Sequence, residues 1–261
     1  FDHIDIEAAE KRNILVSNVP SYGENTVAEH TFALILALSR NAHKSHVRRL
    51  AGDFAIEGLR GFDLKGKTLG VVGAGKIGLH VIKIAKGFGM KVLAYDAFPN
   101  HFLSEVLDFH YVPLHTLLES SDIVSLHTPY TKETHHLINQ HNINLMKPGT
   151  ILINTARGEL VETDALIAGL DQGILAGVGI DVLEGELLVR EEKELLKKQE
   201  GAPELQMLAK DHALLGRDNV VYTPHIAFFS KEALERILNT TIENIECYAL
   251  GQCKNIVTIK K

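Results

Sequence analysis

Residues 68–78, TLGVVGAGKIG, decide the fold of this chain. A β-branched run leads into three glycines spaced as G-x-G-x-x-G, and a helical pattern follows from Lys76. Glycine triplets also occur by chance in turns, so the spacing alone predicts little. A strand before the glycines and a helix after them are what dinucleotide binding requires, because the pyrophosphate packs on the turn and faces the N–H groups at the helix start. This context favours a dinucleotide site over a structural turn.

The next aliphatic run ends at Asp96, eighteen residues after Gly78. A carboxylate at this place can accept hydrogen bonds from both ribose hydroxyls and repels a 2′-phosphate. By itself Asp96 would be interpreted as a turn residue, and only its position after the glycines predicts a role in binding the ribose. The sequence therefore predicts NAD as the cofactor.

The same alternation of a short aliphatic run and a helical pattern recurs along the chain. Such runs are typical of a parallel sheet covered by helices on both faces. We therefore predict an α/β fold with a doubly wound parallel (Rossmann) sheet, whose strands lie in residues 68–73, 91–96, 123–128, 151–157, 176–182 and 219–225. A weak strand at 111–113 contains a proline, which predicts an edge position.

Two helical patterns leave alternatives open. The helix predicted over 25–39, with Asn25 as its cap, is apolar around more of its surface than one core contact needs, so it fits either a dimer contact or burial within one subunit. The charge run 190–200, REEKELLKKQE, favours a solvated helix over a lid near the active site.

Composition excludes several classes of function. The 261 residues carry a net charge of −6 without a basic, aromatic-rich run, so nucleic acid is not an expected partner. The two cysteines lack CxxC spacing, which argues against a disulfide framework or a zinc site and fits a cytoplasmic protein. The most apolar window, 32–38, is too short to span a membrane.

Three of the predicted strands end in residues suited to catalysis, at the sheet edge where ligands bind. An isolated Arg157 would be a surface residue, but in this context its guanidinium can pair with a carboxylate or polarise a carbonyl. The segment 181–186, DVLEGE, supplies carboxylates that could orient a histidine, and Glu184 and Glu186 are both candidates.

His225 lies in the segment 223–230, TPHIAFFS, at the end of the last predicted strand. A lone histidine would be assigned to the core, whereas this position makes it a candidate proton donor for reduction of a carbonyl. His135 and His136 are expected on a helix, pointing to different faces in solvated or capping roles. No metal is predicted, since hydride transfer needs none and these histidines have no partner at ligand spacing.

Taken together, these stretches resemble the D-isomer-specific 2-hydroxyacid dehydrogenases. The matching segments run over nearly the whole chain: Val27-Ala-Glu29, GVVGAGKIG, SLHTPYTKETHHLIN, LMKPGTILINTARG, GIDVLEGE and TPHIA. The resemblance implies that Arg157 holds the substrate carboxylate and carbonyl, and that His225, paired with Glu186, protonates the carbonyl oxygen as NADH delivers hydride. It also implies NAD contacts from Gly73, Gly75, Lys76, Ile77, Gly78, Asp96, Thr128, Pro129, Thr134, Thr155, Ala156 and Asp181.

Within this family the residues after the histidine vary. His225-Ile-Ala-Phe228-Phe229 is similar to the D-lactate dehydrogenase subgroup, whereas many phosphoglycerate dehydrogenases resemble His-Ile-Gly-Gly. An aromatic wall suits a small apolar side chain such as the methyl group of pyruvate. We therefore expect reduction of pyruvate to D-lactate. Phe228 is expected to select the substrate side chain, and Phe229 is as well suited to packing as to substrate contact. The alternative activities are those of phosphoglycerate and hydroxypyruvate or glyoxylate dehydrogenases.

The resemblance also predicts the domain organisation. Residues 25–226 would form the NAD-binding domain, and residues 1–24 with 227–261 would belong to a substrate domain whose N-terminal half is expected to be absent from this chain. The family resemblance points to a homodimer. A different class of function, an NAD(H)-sensing corepressor-like binding protein, is the second hypothesis, because that branch of the family resembles the enzymes at the catalytic positions.

Overall fold

The computed structural model describes residues 4–186 and 202–258, so the predicted helix at 190–200 lies outside the described residues. The chain forms two compact units. One contains the described residues up to Thr26 and from Phe228 onward, and the other extends from Val27 to Ala227. None of the helices in the described part of the chain has the length and apolar character needed to cross a membrane.

The larger unit contains a parallel sheet of seven strands in the order β3-β2-β1-β4-β5-β6-β7. Its strands are β1 (Thr68–Val72), β2 (Lys91–Tyr95), β3 (His110–Tyr111), β4 (Ile123–Leu126), β5 (Thr150–Asn154), β6 (Leu175–Ile180) and β7 (Val220–Tyr222). The order reverses at β1, which pairs with β2 on one side and β4 on the other. This architecture confirms the predicted doubly wound fold, and the weak strand is at the edge.

The described helices are α1 (Ile6–Lys11), α2 (Glu24–Ser39), α3 (Ala42–Leu50), α4 (Lys76–Gly87), α5 (His101–Val106), α6 (Leu114–Ser120), α7 (Thr163–Asp171), α8 (Ala202–Leu215) and α9 (Lys231–Ala249). Helices α1 and α9 belong to the smaller unit, and helices of the larger unit cover both faces of the sheet. Successive side chains of β5 divide between two cores, with Leu152 in one and Ile151 and Ile153 in the other. Because side chains alternate along a strand, both faces of β5 are buried and the strand is a continuous aliphatic run.

Helix α2 has a wide apolar surface, which is buried within the same chain. It begins at Glu24, so Asn25 is inside the first turn and is not the predicted cap. Its side chains pack into the core that contains Val71, and six of its apolar residues are buried: Val27, Ala28, Phe32, Leu34, Ile35 and Leu38. The breadth of its apolar surface is therefore accounted for without a second subunit.

The smaller unit is organised around α9. The Arg236 side chain donates to the backbone oxygen of Tyr22 (2.6 Å), and Asn244 donates to the backbone oxygen of Asn18 (3.0 Å). These bonds connect the first and last segments of the chain, which explains how residues about 200 positions apart belong to one compact body.

Candidate active site

The glycine-rich turn after β1 has a separate steric reason for each glycine. Gly73 has φ +95°, and a Cβ there would lie 2.8 Å from the carbonyl carbon of His127. A Cβ on Gly78 would lie 2.0 Å from the backbone oxygen of Gly73, so α4 can approach the turn only without a side chain at this position. A Cβ on Gly75 would have no described atom within 4 Å. Gly75 thus keeps open the space next to the turn.

This open space fits the pyrophosphate of a dinucleotide. It lies at the start of α4, whose N-cap is Gly75 and whose first-turn N–H groups have no partner within the helix. Thr128, at the end of β4, has a buried hydroxyl without a hydrogen-bond partner among the described residues. A buried hydroxyl of this kind is costly unless a ligand or water satisfies it. The residues present therefore suit a bound NAD.

Asp96 is held directly against the glycine turn. Its Oδ2 accepts from the Ala74 N–H (2.7 Å), and its Oδ1 accepts from the Phe98 N–H (2.8 Å). The turn role and the ribose role of Asp96 are compatible, since each carboxylate oxygen can accept a second hydrogen bond. The contacts fix the carboxylate at the end of β2 beside the cofactor turn.

His127 received no role from the sequence, although it directly precedes Thr128. Its Nε2 lies 2.8 Å from the Ser125 hydroxyl oxygen, and its Nδ1 is buried without a partner among the described residues. Burial lowers the pKa of His127 to about 3, so the imidazole is neutral at physiological pH. A neutral ring in this place supports the β4 end without adding a cation to the site.

The turn after Thr128 positions two further predicted cofactor contacts. The Thr134 hydroxyl donates to the backbone oxygen of Pro129 (2.8 Å) and accepts from the Thr131 N–H (2.7 Å). Residues 129–134 are thereby closed into a compact turn, which brings Pro129 and Thr134 together.

Asn154 shapes the turn that presents Arg157 and was not identified from the sequence. Its Oδ1 accepts from the Ala156 N–H (3.0 Å), and its Nδ2 donates to the Arg157 carbonyl oxygen (2.8 Å). Thr155 is buried with its hydroxyl 3.0 Å from that of Thr31 on α2. Arg157 itself is exposed, and one of its guanidinium nitrogens donates to the Ala156 carbonyl oxygen (2.7 Å).

Gly158 brings this arginine turn against the segment that carries the candidate carboxylates. A Cβ on Gly158 would lie 2.0 Å from the carbonyl carbon and oxygen of Leu183 and 2.4 Å from the backbone nitrogen of Glu184. Only glycine allows so close an approach. The turn containing Arg157 and the loop leading to Glu186 are therefore packed directly on each other.

His225 pairs with Glu186. Its Nδ1 lies 3.1 Å from Glu186 Oε1 and 3.0 Å from Oε2, which requires Nδ1 to carry the donated hydrogen. The Glu186 side chain is 16% exposed and that of His225 is 39% exposed. The imidazole is thus oriented by a largely buried carboxylate yet remains accessible, as a proton donor to a bound substrate must be.

Glu184, the other candidate, is used elsewhere. Its Oε1 lies 2.7 Å from His136 Nε2, and its Oε2 accepts from the Thr163 N–H (3.2 Å) and hydroxyl (3.1 Å). The predicted helix at His135 and His136 is wrong: His136 has φ +49° in a turn, and the two rings stack at 3.9 Å between centroids. His135 is exposed, in line with the predicted solvated role, whereas the predicted role of His136 is replaced by a hydrogen bond that anchors Glu184.

Asp181 is buried and organises the backbone around His225. Its carboxylate accepts from the N–H groups of Ile226 (3.0 Å) and Ala227 (2.8 Å) and from the Thr223 hydroxyl. Its carbonyl oxygen accepts from the His225 N–H (2.8 Å). These bonds hold His225 in the left-handed region, at φ +56°, where residues other than glycine are uncommon.

Phe228 belongs to the smaller unit. Its ring contacts Tyr22 edge-on, with the centroids 6.1 Å apart, and it also meets Phe229 edge-on at 5.9 Å. Phe229 is 63% exposed, so packing is a small part of its environment. The selection of substrate by Phe228 stays a prediction, as do the other catalytic and cofactor roles assigned from the sequence.

Comparison with known proteins gives one consistent result. Residues 32–227 match the family model described as D-isomer specific 2-hydroxyacid dehydrogenase, NAD binding domain. The chain is 38% identical over 257 residues to D-lactate dehydrogenase of Escherichia coli K12, covering 98% of this chain and 75% of that protein. It is 39% identical over 259 residues to glyoxylate reductase of Thermococcus litoralis, covering 97% of this chain and 72% of that protein.

The fold comparison agrees with the sequence comparison. The crystal structure of D-lactate dehydrogenase from Aquifex aeolicus, complexed with NAD and lactic acid, superposes with a TM-score of 0.88 at 39% identity. The match covers 100% of this chain and 78% of the other.

Proposed function

Because the chain belongs to the D-isomer specific 2-hydroxyacid dehydrogenase family and is therefore an NAD-dependent oxidoreductase, we propose that it reduces pyruvate to D-lactate. The observation that carries the proposal is the pair formed by His225 and Glu186, with an Nδ1 to Oε2 distance of 3.0 Å. This pair lies in the same unit as the glycine turn and Arg157. A dehydrogenase of 2-hydroxy acids needs these parts: a cofactor site, a carboxylate-binding cation and a proton donor.

Each group has one task in the proposed reaction. Bound NADH supplies a hydride to the carbonyl carbon of the substrate. Arg157 pairs with the substrate carboxylate and polarises the carbonyl, since its planar guanidinium presents several N–H donors in a fixed geometry. His225 donates a proton to the carbonyl oxygen from Nε2. Glu186 holds Nδ1–H and stabilises the imidazolium, and this orientation prevents the ring from turning away.

The choice of pyruvate is supported by the residues after His225 and by the similar D-lactate dehydrogenases. Glyoxylate is the competing substrate, because a glyoxylate reductase is equally similar to this chain. The two substrates differ by one methyl group, and a methyl in an apolar pocket changes the selectivity by about 10–200-fold. An aromatic side chain such as Phe228 would favour the methyl.

A substrate panel tests the proposed function. We expect NADH oxidation with pyruvate, phenylpyruvate, hydroxypyruvate and glyoxylate to give the highest kcat/KM for pyruvate, and the product to be the D isomer. Phe228→Ala should lower kcat/KM for pyruvate more than for glyoxylate. A higher value for glyoxylate in the unaltered chain would replace pyruvate by glyoxylate as the substrate.

Two variants test the residue roles. Arg157→Gln should abolish turnover, and His225→Ala should reduce kcat by about 10²–10⁴-fold, which is the usual contribution of general acid catalysis. Arg40→Gln, directly after α2, and His115→Ala on α6 are matched controls, because both residues are exposed. Unchanged turnover in both site variants would contradict the proposal. NADH-promoted dimerisation without turnover of any 2-keto acid would instead support the corepressor-like alternative.

We also propose that residues 27–227 bind NAD, that the smaller unit belongs to the substrate domain, and that the protein is a cytoplasmic homodimer.

The dimer is supported by four exposed apolar side chains on and after α3: Val47, Leu50, Phe54 and Ile56. Light scattering should then give twice the mass of the chain. Phe54→Ser with Ile56→Ser should give the mass of one chain, whereas a wild-type protein of monomer mass would refute this surface as a dimer contact.

A further inference from the structure

A partly buried histidine on α2, His30, contacts the segment that leads to His225. His30 Nε2 is 2.9 Å from the Thr223 hydroxyl oxygen and 3.5 Å from Asp181 Oδ1. The Thr223 hydroxyl in turn contacts the same Asp181 oxygen. All three residues belong to the larger unit, and Thr223 and Asp181 come directly after β7 and β6. No local pattern connects His30 with His225, since 195 positions separate them.

The hydrogen count decides the direction of this chain of bonds. Asp181 accepts two backbone N–H groups and is buried, so its oxygens act as acceptors. The single hydroxyl hydrogen of Thr223 must therefore point to Asp181 Oδ1. The hydroxyl oxygen can then only accept from His30, which places a hydrogen on Nε2. With hydrogen on Nδ1 instead, the Nε2 lone pair would face the Thr223 and Asp181 oxygens and repel them.

We infer that His30 is a positioning residue: as the Nε2–H tautomer it donates to Thr223, and through Thr223 it fixes the Asp181 carboxylate that holds the backbone of residues 225–227. The inference rests on the proposed role of His225 as proton donor. His225 is held at φ +56° by the backbone bonds to Asp181, so a rotation of the Asp181 carboxylate would displace the imidazole. Small displacements of a catalytic group can cost about 10²-fold in rate.

The charge state of His30 fits this role. Burial lowers its pKa, and the nearby Asp181 carboxylate only partly opposes that effect. The ring is therefore neutral at physiological pH, which gives it one N–H hydrogen and makes its tautomer decisive. A neutral donor in this position orients Asp181 without neutralising it.

Three variants separate positioning from general packing. His30→Leu introduces an apolar side chain of similar size and removes the N–H donor, and Thr223→Val replaces the hydroxyl by a methyl group. His30→Gln retains an N–H donor near the position of Nε2. We expect the first two to lower kcat about tenfold with little change in KM for the 2-keto acid, which Arg157 binds, and Gln to recover most of that loss. Because both residues act through one chain of bonds, the double variant should lose no more than either single one.

Two measurements do not depend on turnover. Nitrogen NMR of the unaltered chain should show His30 as the Nε2–H tautomer, and the amide hydrogens of Ile226 and Ala227 should exchange faster in Thr223→Val than in the unaltered chain. An Nδ1–H tautomer, or unchanged exchange in Thr223→Val, would overturn the inference even if His30→Leu fails to fold. If the unaltered chain reduces no 2-keto acid, the proposed function fails, while the tautomer and exchange results still decide the role of His30.

Discussion

Gly75→Ala should separate cofactor binding from folding in this protein. The residue has φ −72° and ψ −165°, a conformation open to alanine, and its added methyl would have no described atom within 4 Å. Two contributions to stability oppose each other. Alanine in place of glycine restricts the unfolded chain and stabilises by about 0.4–1 kcal/mol, whereas alanine is a poorer N-cap by roughly 1 kcal/mol. We therefore expect the free energy of unfolding to change by less than about 1 kcal/mol.

The same methyl group would occupy the space next to the glycine turn and the start of α4. If the pyrophosphate of NAD lies there, it can no longer approach the backbone N–H groups, and the dissociation constant for NADH should rise at least about tenfold, which corresponds to 1.4 kcal/mol. Fluorescence titration with NADH measures the binding, and chemical unfolding followed by circular dichroism measures the stability.

Two other glycines complete the comparison. In Gly78→Ala the Cβ would lie 2.0 Å from the Gly73 oxygen, so α4 must move, and both stability and NADH binding should fall. Gly87→Ala, on the same helix, meets no described atom within 4 Å and should leave binding unchanged. If Gly75→Ala binds NADH as tightly as the unaltered chain, the placement of the pyrophosphate at this turn is refuted.

Three further outcomes are expected. Burial and the nearby Glu184 raise the pKa of Asp211 to about 7, so the folded chain retains a proton that the unfolded chain releases. The free energy of unfolding should therefore fall as pH rises from about 4 to 7. In chemical denaturation at pH ~8, Asp211→Asn should raise the free energy of unfolding by roughly 2–4 kcal/mol. The pKa of His127 is lowered to about 3, so the unfolded chain binds a proton that the folded chain does not. NMR should show no titration of the His127 ring above about pH 5. The contribution of the neutral His127 to stability should be lost as pH falls from about 6.5 to 3. Gly158→Ala should lower the unfolding free energy by at least about 1–3 kcal/mol, because its Cβ would overlap the Leu183 carbonyl; wild-type stability in denaturant would contradict this contact.

The local sequence was sufficient for the sheet and the glycine turn. Strands such as β4 and β5 are buried on both faces, and an unbroken run of aliphatic residues is sufficient to predict this burial. The three glycines of residues 73–78 are likewise required by contacts within one turn and its helix. Where a local pattern has two solutions, the prediction failed: the segment around His135 and His136 forms a turn instead of a helix, because His136 pairs with the distant Glu184.

By itself, the sequence determined the parallel α/β fold, the glycine turn, and Arg157 and His225 as candidates at the ends of strands. Only the tertiary structure decided which carboxylate meets His225, because Glu184 and Glu186 have the same chemistry and are two positions apart. The path of the loop brings Glu186, 39 residues away in the chain, to the imidazole and directs Glu184 to His136. His30 was hidden for the same reason, since its partners Thr223 and Asp181 meet it only when α2 packs on the sheet. Periodicity reports which face of an element is buried, whereas hydrogen-bond partners far apart in the chain are set by how the elements pack.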